Sequence, residues 1–377
     1  MIIFLKSIYQ SVKVKLNLCI SLLFTKNVSN KEIIKKKLLK RNFNWNVNGK
    51  SKVFAIFSIN NWEEVLKDEL TIFGEVHHFT WQNISDFFQT NEDWEKYMKL
   101  LNQRLITEFD KFYDSNDRII IFLYASDFTI FKSTLEYIKR KNTFLISFCW
   151  DDLLYFKGKV NRQPIGVKKM CQVVDLNLTM SPEAIPQYKL HNSACYFWQS
   201  IELNINNCQL TEVEICKFYV LFIGSKYGRR SKFIENLRKQ GINVICYGNG
   251  WENPPLEYDQ MVHEIRKAPL TLGFSNVGYT SNITTIKGRD FEVPFFGGLY
   301  LTQYSKGIGL YYNDNEVLTY KNFNDCLSII RYLKNNQNIA NNIREKGYKK
   351  AQKRASWASR FKYLDCLISE ITKPFDH

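Results

Sequence analysis

Charge and glycine crowd together twice in the second half of the sequence. In FIGSKYGRR (222–230), β-forming residues run into Gly224, and Lys226, Gly228, Arg229 and Arg230 then open an amphipathic segment. Free N–H groups and the dipole at a helix start favour an anion, and glycine lets backbone come close to it. Lys226, Arg229 and Arg230 could add charge-assisted bonds to a diphosphate. The spacing is neither that of a P-loop nor GxGxxG, and an ordinary turn with solvated cations would look the same. The second cluster is KGRDFEVPFFGG (287–298), in which Lys287, Arg289, Asp290 and Glu292 precede Pro294 and a glycine pair. If this segment begins as helix, Arg289 and Glu292 share a face three residues apart, with a cation beside a carboxylate. Such a pair suits a ligand that offers both a diphosphate and vicinal hydroxyls. A surface ion pair of little energetic weight is the alternative.

A third group lies upstream. Trp150, Asp151 and Asp152 stand just beyond the apolar run FLISFC (144–149), and Asp127 follows LYAS. Open α/β sheets place ligand-binding groups beyond strand ends. A carboxylate there can orient a substrate hydroxyl or take its proton, making Asp127, Asp151 and Asp152 general-base candidates. Helix capping by Asp151 or Asp152 is the competing use. The five histidines make no metal-ligand spacing and no DxD triplet occurs, so no metal is expected.

Short apolar runs alternate with amphipathic segments from Lys52 onward, as in a parallel sheet covered by helices. The runs are 53–59, 76–81, 119–125 and 144–150, with helical periodicity in WEEVLKDELTIFG and WEKYMKLLNQRLITEFDKFY between them. A second series starts at Phe218: strand YVLFIGS, helix RRSKFIENLRKQG, strand INVICYG, then TLGFS and LYLTQ. Residues 201–216 are polar and aperiodic, which suits a hinge, with the boundary near Val213. The expected organisation is a basic extension (1–50), an N-terminal Rossmann-like domain (51–213) and a C-terminal one (214–355). A closing helix (356–377) is expected to pack back on the N-terminal domain.

A chain of 377 residues fits two cores, and 45% hydrophobic content fills them. Nine scattered cysteines without a CxxC pair point to a reduced, cytoplasmic setting. The net charge of +15 sits mostly at the front, where residues 1–50 hold ten Lys and one Arg against one Glu. Basicity thus belongs to one end, and no nucleic-acid module accompanies it. The apolar stretch Leu16–Phe24 falls short of the roughly 20 residues that span a bilayer. A solvated helix fits it, as does a segment lying on an anionic membrane surface.

KGRDFEVPFFGGLYLT, followed by NDNEVLTYKNFNDCLSIIRYL, resembles the C-terminal half of CgeB-like glycosyltransferases. FIGSKYGRR, GINVICYGNGW, KAPLTLGFS and SWASRFKYL extend the resemblance over roughly 218–365, and SFCWDDLLYF and VVDLNLTMSPEAIPQYK resemble the end of that group's N-terminal domain. The resemblance implies a GT-B fold, two doubly wound Rossmann-like domains facing across a cleft, and metal-independent transfer from a nucleotide-diphospho-sugar. It assigns Glu292 to the donor's hydroxyls. Arg289, Lys287, Lys226, Arg229 and Arg230 fall to its diphosphate, beside the Gly224 turn. Thr284 and Thr285 lie in the loop under the donor. Retaining relatives carry a Glu where this chain has Thr284, which separates it from their mechanism and leaves open a catalytically inactive nucleotide-sugar-binding or scaffold protein of a surface or spore-coat pathway. The residues beyond FLISFC, read on their own, put Asp152 forward as the acceptor-side base, with Asp151 and Asp127 as alternatives and Trp150 beside them. The acceptor would be a surface glycan, glycolipid or protein.

Overall fold

The computed structural model describes residues 2–25, 28–45, 48–59, 63–81, 91–160, 163–205, 210, 217–280 and 282–373. It divides into two compact units: Lys15–Gln199 with Phe361–His377, and Ser200–Arg360 with Met1–Val14. The expected hinge at Val213 lies outside the described residues.

The chain opens with helices α1 (Ile2–Phe24) and α2 (Asn30–Lys40). The N-terminal sheet is built from β1 (Ser51–Phe57), then α3 (Glu64–Glu69), β2 (Glu75–Phe79), α4 (Asn91–Phe112), β3 (Arg118–Tyr124), α5 (Lys132–Ile138) and β4 (Thr143–Cys149). After α6 (Asp152–Tyr155), a small hairpin of β5 (Lys157–Val160) and β6 (Gln163–Gly166) and α7 (Met170–Val173), it is completed by β7 (Leu176–Thr179), α8 (Ile185–Leu190) and β8 (Cys195–Phe197). The strand order is β2-β1-β3-β4-β7-β8, every pairing parallel. Strands buried on both faces read as continuous apolar runs, as in Val53–Phe57 and Ile119–Leu123. On α4, Trp94, Met98, Leu101, Leu105 and Phe109 recur at helical spacing and are buried with Phe54, Ile121 and Leu145.

The basic start is no free extension. Ile34 and Leu38 of α2, with Phe43 and Trp45 after it, are buried, and the Trp45 indole donates to the Asn142 carbonyl at 2.9 Å. Arg41 and Lys139 reach the fully buried Asp175 at 3.0 and 2.9 Å. Burial alone would raise the Asp175 carboxyl, but these two cations outweigh it and hold it below the usual range. Lysines along α2 suggest a solvated helix, yet its apolar residues at i, i+1 and i+5 make one buried face.

The C-terminal unit repeats the design with β9 (Val220–Ile223), α9 (Arg230–Lys239), β10 (Val244–Tyr247), α10 (Tyr258–Lys267), β11 (Leu270–Leu272), α11 (Gly288–Phe295), β12 (Tyr300–Gln303) and β13 (Leu318–Tyr320). Helices α12 (Phe323–Asn335), α13 (Gln337–Arg354) and α14 (Trp357–Thr372) follow. The strand order is β10-β9-β11-β12-β13, again parallel. The first sheet therefore follows the order 2-1-3-4-5-6 and the second 2-1-3-4-5, and each reverses direction beside its first strand. From Phe361 onward α14 belongs to the N-terminal unit, where the Phe361 ring packs 5.8 Å from Phe122 and 5.3 Å from Trp198.

Candidate functional site

In the C-terminal sheet the order reverses between β9 and β11. Open α/β sheets bind ligands outside the strand ends at such a switch. Two loops and a helix start gather there. The first is the turn after β9. Gly224 has φ 155°, and Gly228, at φ 63°, lies in the left-handed region where a side chain is strained. The loop after β10 clasps this turn: Lys226 N–H donates to the Asn249 carbonyl and the Trp251 indole to the Gly224 carbonyl, both at 2.8 Å. A Cβ on Gly248 would stand 2.5 Å from the Gly224 oxygen, so the two backbones touch only because Gly248 lacks a side chain.

The cations of FIGSKYGRR divide by role. Lys226 Nζ sits 5.0 Å from the Trp251 ring, one face of a shelf beside the turn. Arg230 opens α9, donates back to the Ser225 carbonyl at 3.0 Å and stacks on Tyr227 at 4.0 Å, so it shapes the loop. Arg229 is the N-cap residue and lies 3.5 Å from the Ser7 hydroxyl of α1.

The second loop follows β11 and runs back on itself: Asn276 and Thr284 form a bridge, Thr285 N–H donates to Ser275 O at 2.9 Å, and the Thr280 hydroxyl donates to Val277 O at 2.7 Å. Tyr279 carries it toward the first turn, its ring 6.2 Å from Tyr227. Gln10 Oε1 accepts the Tyr279 N–H at 2.7 Å, and Lys6 Nζ stands 4.0 Å from the Tyr279 ring.

The third element is α11. The segment expected to begin as helix does so, and Arg289 and Glu292 form an ion pair one turn apart. Both are largely shielded, with side-chain exposures of 25% and 10%, so this is no solvated surface pair. The Arg289 Nε is buried and has no hydrogen-bond partner among the described residues. The Glu292 carboxylate lies along the helix start at Gly288, where a Cβ would meet its Oε1 at 3.7 Å, an ordinary van der Waals contact. Asp290 fixes the helix beneath them. One carboxylate oxygen accepts the Lys287 N–H at 2.7 Å, and the other accepts the Tyr300 and Thr302 hydroxyls at 3.0 Å each. Burial pushes its carboxyl up to about 6 despite these bonds. Gly273, at the end of β11, makes room for the arrangement, because a Cβ there would overlap the Tyr300 hydroxyl.

Sequence reasoning noticed Asp290 only as one charge among four, and did not find Trp251, Tyr279, Ser7 or Gln10. Gln303 Oε1 and Ser305 Oγ, at the C-terminal end of β12, were also missed; both are buried without a hydrogen-bond partner among the described residues. Only position relative to a strand end marks them in the sequence.

In the N-terminal unit the switch lies between β1 and β3, and Asp127 follows β3 there. Its two carboxylate oxygens accept the Lys169 and Met170 N–H groups at 2.9 Å each, capping α7. Burial nonetheless raises its carboxyl. Trp150 and Asp151 follow β4, the indole ring 5.1 Å from Phe148. Asp151 is the N-cap residue of α6 and makes no side-chain cap bond. Asp152 is fully buried, accepts the Tyr188 hydroxyl at 2.8 Å, and burial pushes it up to about 7. A carboxylate tuned to that range can exchange a proton near neutrality.

Residues 229–365 match a family model described as glycosyl transferase-like. No curated protein matches the chain. Among solved structures the chain is similar to sucrose-phosphate synthase from Thermosynechococcus elongatus, at 11% identity over 86% of this chain and 100% of that one, with a TM-score of 0.55. An alpha-glucosyltransferase in complex with UDP and a 13-mer DNA containing a central A:G mismatch aligns at 13% identity over 85% of this chain and 100% of that one, TM-score 0.53. Anabaena Alr3699/HepE in complex with UDP and glucose aligns at 11% identity over 85% of this chain and 100% of that one, TM-score 0.51. The chain therefore has the GT-B fold of two Rossmann-like units, and the family match falls almost wholly on the second of them.

Proposed function

We propose that the protein is a glycosyltransferase that binds a UDP-sugar on its C-terminal unit and delivers the sugar to a surface glycan, glycolipid or protein. The observation that carries this reading is the shielded Arg289–Glu292 pair with its orphaned Arg289 Nε, at the start of a helix beside the switch point. A cation and a carboxylate held one turn apart fit a diphosphate and the hydroxyls next to it. The UDP complexes among the similar structures support uracil as the base.

Arg289 stabilises the charge that develops on the leaving diphosphate, and the glycine turn with Lys226 and Arg229 holds its other oxygens. Lys287, Thr284 and Thr285 line the approach to α11, and Glu292 orients hydroxyls. Positioning and electrostatics then supply most of the rate. Asp152 is assigned as the base toward the acceptor, with Trp150 and Asp151 forming the acceptor side. Asp127, whose oxygens cap α7, is assigned to shaping that side. CgeB-like membership and a role in polysaccharide assembly in the cytoplasm belong to the same proposal.

The test is thermal shift and isothermal titration with UDP, UDP-glucose and UDP-N-acetylglucosamine, on the wild type and on Arg289→Ala and Glu292→Ala. UDP at a hundred times its dissociation constant stabilises by about 2.7 kcal/mol. Each substitution is expected to weaken UDP binding at least about tenfold and to abolish transfer while the protein stays folded. Unaltered UDP affinity in both variants would remove the site assignment. Binding without hydrolysis or transfer to any acceptor would favour the non-catalytic alternative.

A further inference from the structure

Helix α1 is amphipathic in the wrong sense for a helix that packs on a core. On a 3.6-residue turn, Leu5, Ile8, Tyr9, Val12, Leu16, Ile20 and Leu23 fall within about 60° of one line. All seven are exposed, from 38% at Ile20 to 78% at Leu23. The opposite face carries Ser7, Val14 and Ser21, each at most 2% exposed, and the half-buried Gln10. Helices of globular proteins turn their apolar stripe inward, whereas this one turns hydroxyls and an amide inward and its large apolar side chains out. Contiguous exposed apolar surface of this kind marks a binding face.

The occupant is read from charge. Lys13 flanks the stripe on one side and Lys15 on the other, each about 80° from its centre, where long side chains can extend to headgroups while the stripe sinks among acyl chains. An anionic lipid surface attracts each such cation at about 1 kcal/mol. No helix among the described residues is long and apolar enough to cross a membrane, so the helix would lie along the surface.

The inner face of the same helix touches the candidate donor loops: Ser7 at Arg229, Gln10 at the Tyr279 N–H and Lys6 at the Tyr279 ring. We propose that α1 docks on an anionic membrane through the Leu5–Leu23 stripe, and that docking steadies the Arg229 and Tyr279 loops and so tightens nucleotide binding. The coupling rests on the donor-site reading above; the docking does not. Two ligands that favour one arrangement of α1 must strengthen each other.

The experiment uses the full chain. Flotation is read with vesicles of phosphatidylcholine alone and with about one third phosphatidylglycerol, and UDP affinity is measured with and without them. Wild type is expected to float only with the anionic vesicles. The triple variant Tyr9→Glu, Val12→Glu, Leu16→Glu, altered only at exposed positions, is expected to stay in solution. Anionic vesicles should tighten UDP binding about fivefold in wild type, with no gain in the triple variant or in a Gln10→Ala variant that still floats. Equal flotation of wild type and triple variant would overturn the docking. So would a dimer, seen by light scattering, that the triple variant dissociates, because the stripe would then belong to a second copy. Flotation without tighter UDP binding would overturn the coupling. A protein that binds no UDP under either condition counts against the donor-site reading alone, since flotation is scored separately.

Discussion

The Trp251 indole donates to the Gly224 carbonyl at 2.8 Å, and the ring beside it carries Lys226 at 5.0 Å. One side chain from the loop after β10 thus fixes both the turn and the cation that the turn presents. Trp251→Ala removes both functions, together with the ring's packing on Phe222, and it is expected to weaken UDP binding about tenfold, or about 1.4 kcal/mol. Trp251→Phe keeps the shelf and loses the hydrogen bond, so its affinity should fall between the two. Titration calorimetry on the three proteins checks the order.

Asp152 supplies a pH test whose sign is fixed by its environment. Burial lifts its carboxyl from 3.8 to about 7, so the folded state keeps this proton where the unfolded chain has lost it. Stability therefore falls as pH rises from about 4 to about 7 and levels off above. Asp152→Asn removes that slope. Relative to wild type, the variant's melting temperature should be several degrees higher at about pH 8 than at about pH 5. If Asp152 is also the base, wild-type kcat/KM rises with pH through about 7 and the variant's does not. A parallel pair of melting profiles would remove Asp152 as the titrating group.

The buried cluster around Asp175 predicts that the basic start is indispensable to the first unit. Arg41→Ala leaves a fully buried carboxylate with Lys139 as its remaining short-range cation. Urea unfolding is expected to show a loss of about 3–5 kcal/mol confined to the N-terminal transition. UDP affinity, measured below that transition, should be retained.

Protein cations take the leaving-group charge in the proposed chemistry. Transfer from UDP-glucose is accordingly expected to be unchanged, within about twofold, after exhaustive treatment with EDTA. Loss of activity restored by Mg2+ or Mn2+ would show that a metal shares the role given to Arg289.

The sequence carried the parts that local pattern controls. Val53–Phe57 and Ile119–Leu123 are strands because their apolar runs leave no polar face for water, and the Arg289–Glu292 pair follows from helical spacing in 287–296. Trp251 and Tyr279 escaped because their importance comes from loops that only the parallel order β10-β9-β11 brings together. The basic start misled for another reason. Lysine density suggested a basic extension over residues 1–50, apart from the cores, but Ile34, Leu38, Phe43 and Trp45 are buried. Ser7 and Gln10 look like surface residues until their contacts with Arg229 and Tyr279 are seen.

The division of the chain bears on how it is made. The N-terminal unit needs Phe361 and the rest of α14, and the C-terminal unit includes Met1–Val14. Domains usually fold as they leave the ribosome, the earlier one first. Here neither unit is complete until translation has passed residue 360, so the first sheet must wait, with its apolar faces partly uncovered, for the last helix. Chains released early by a stalled ribosome would lack part of both units, which makes this protein a natural client for holding chaperones during synthesis and a poor candidate for expression as separate halves.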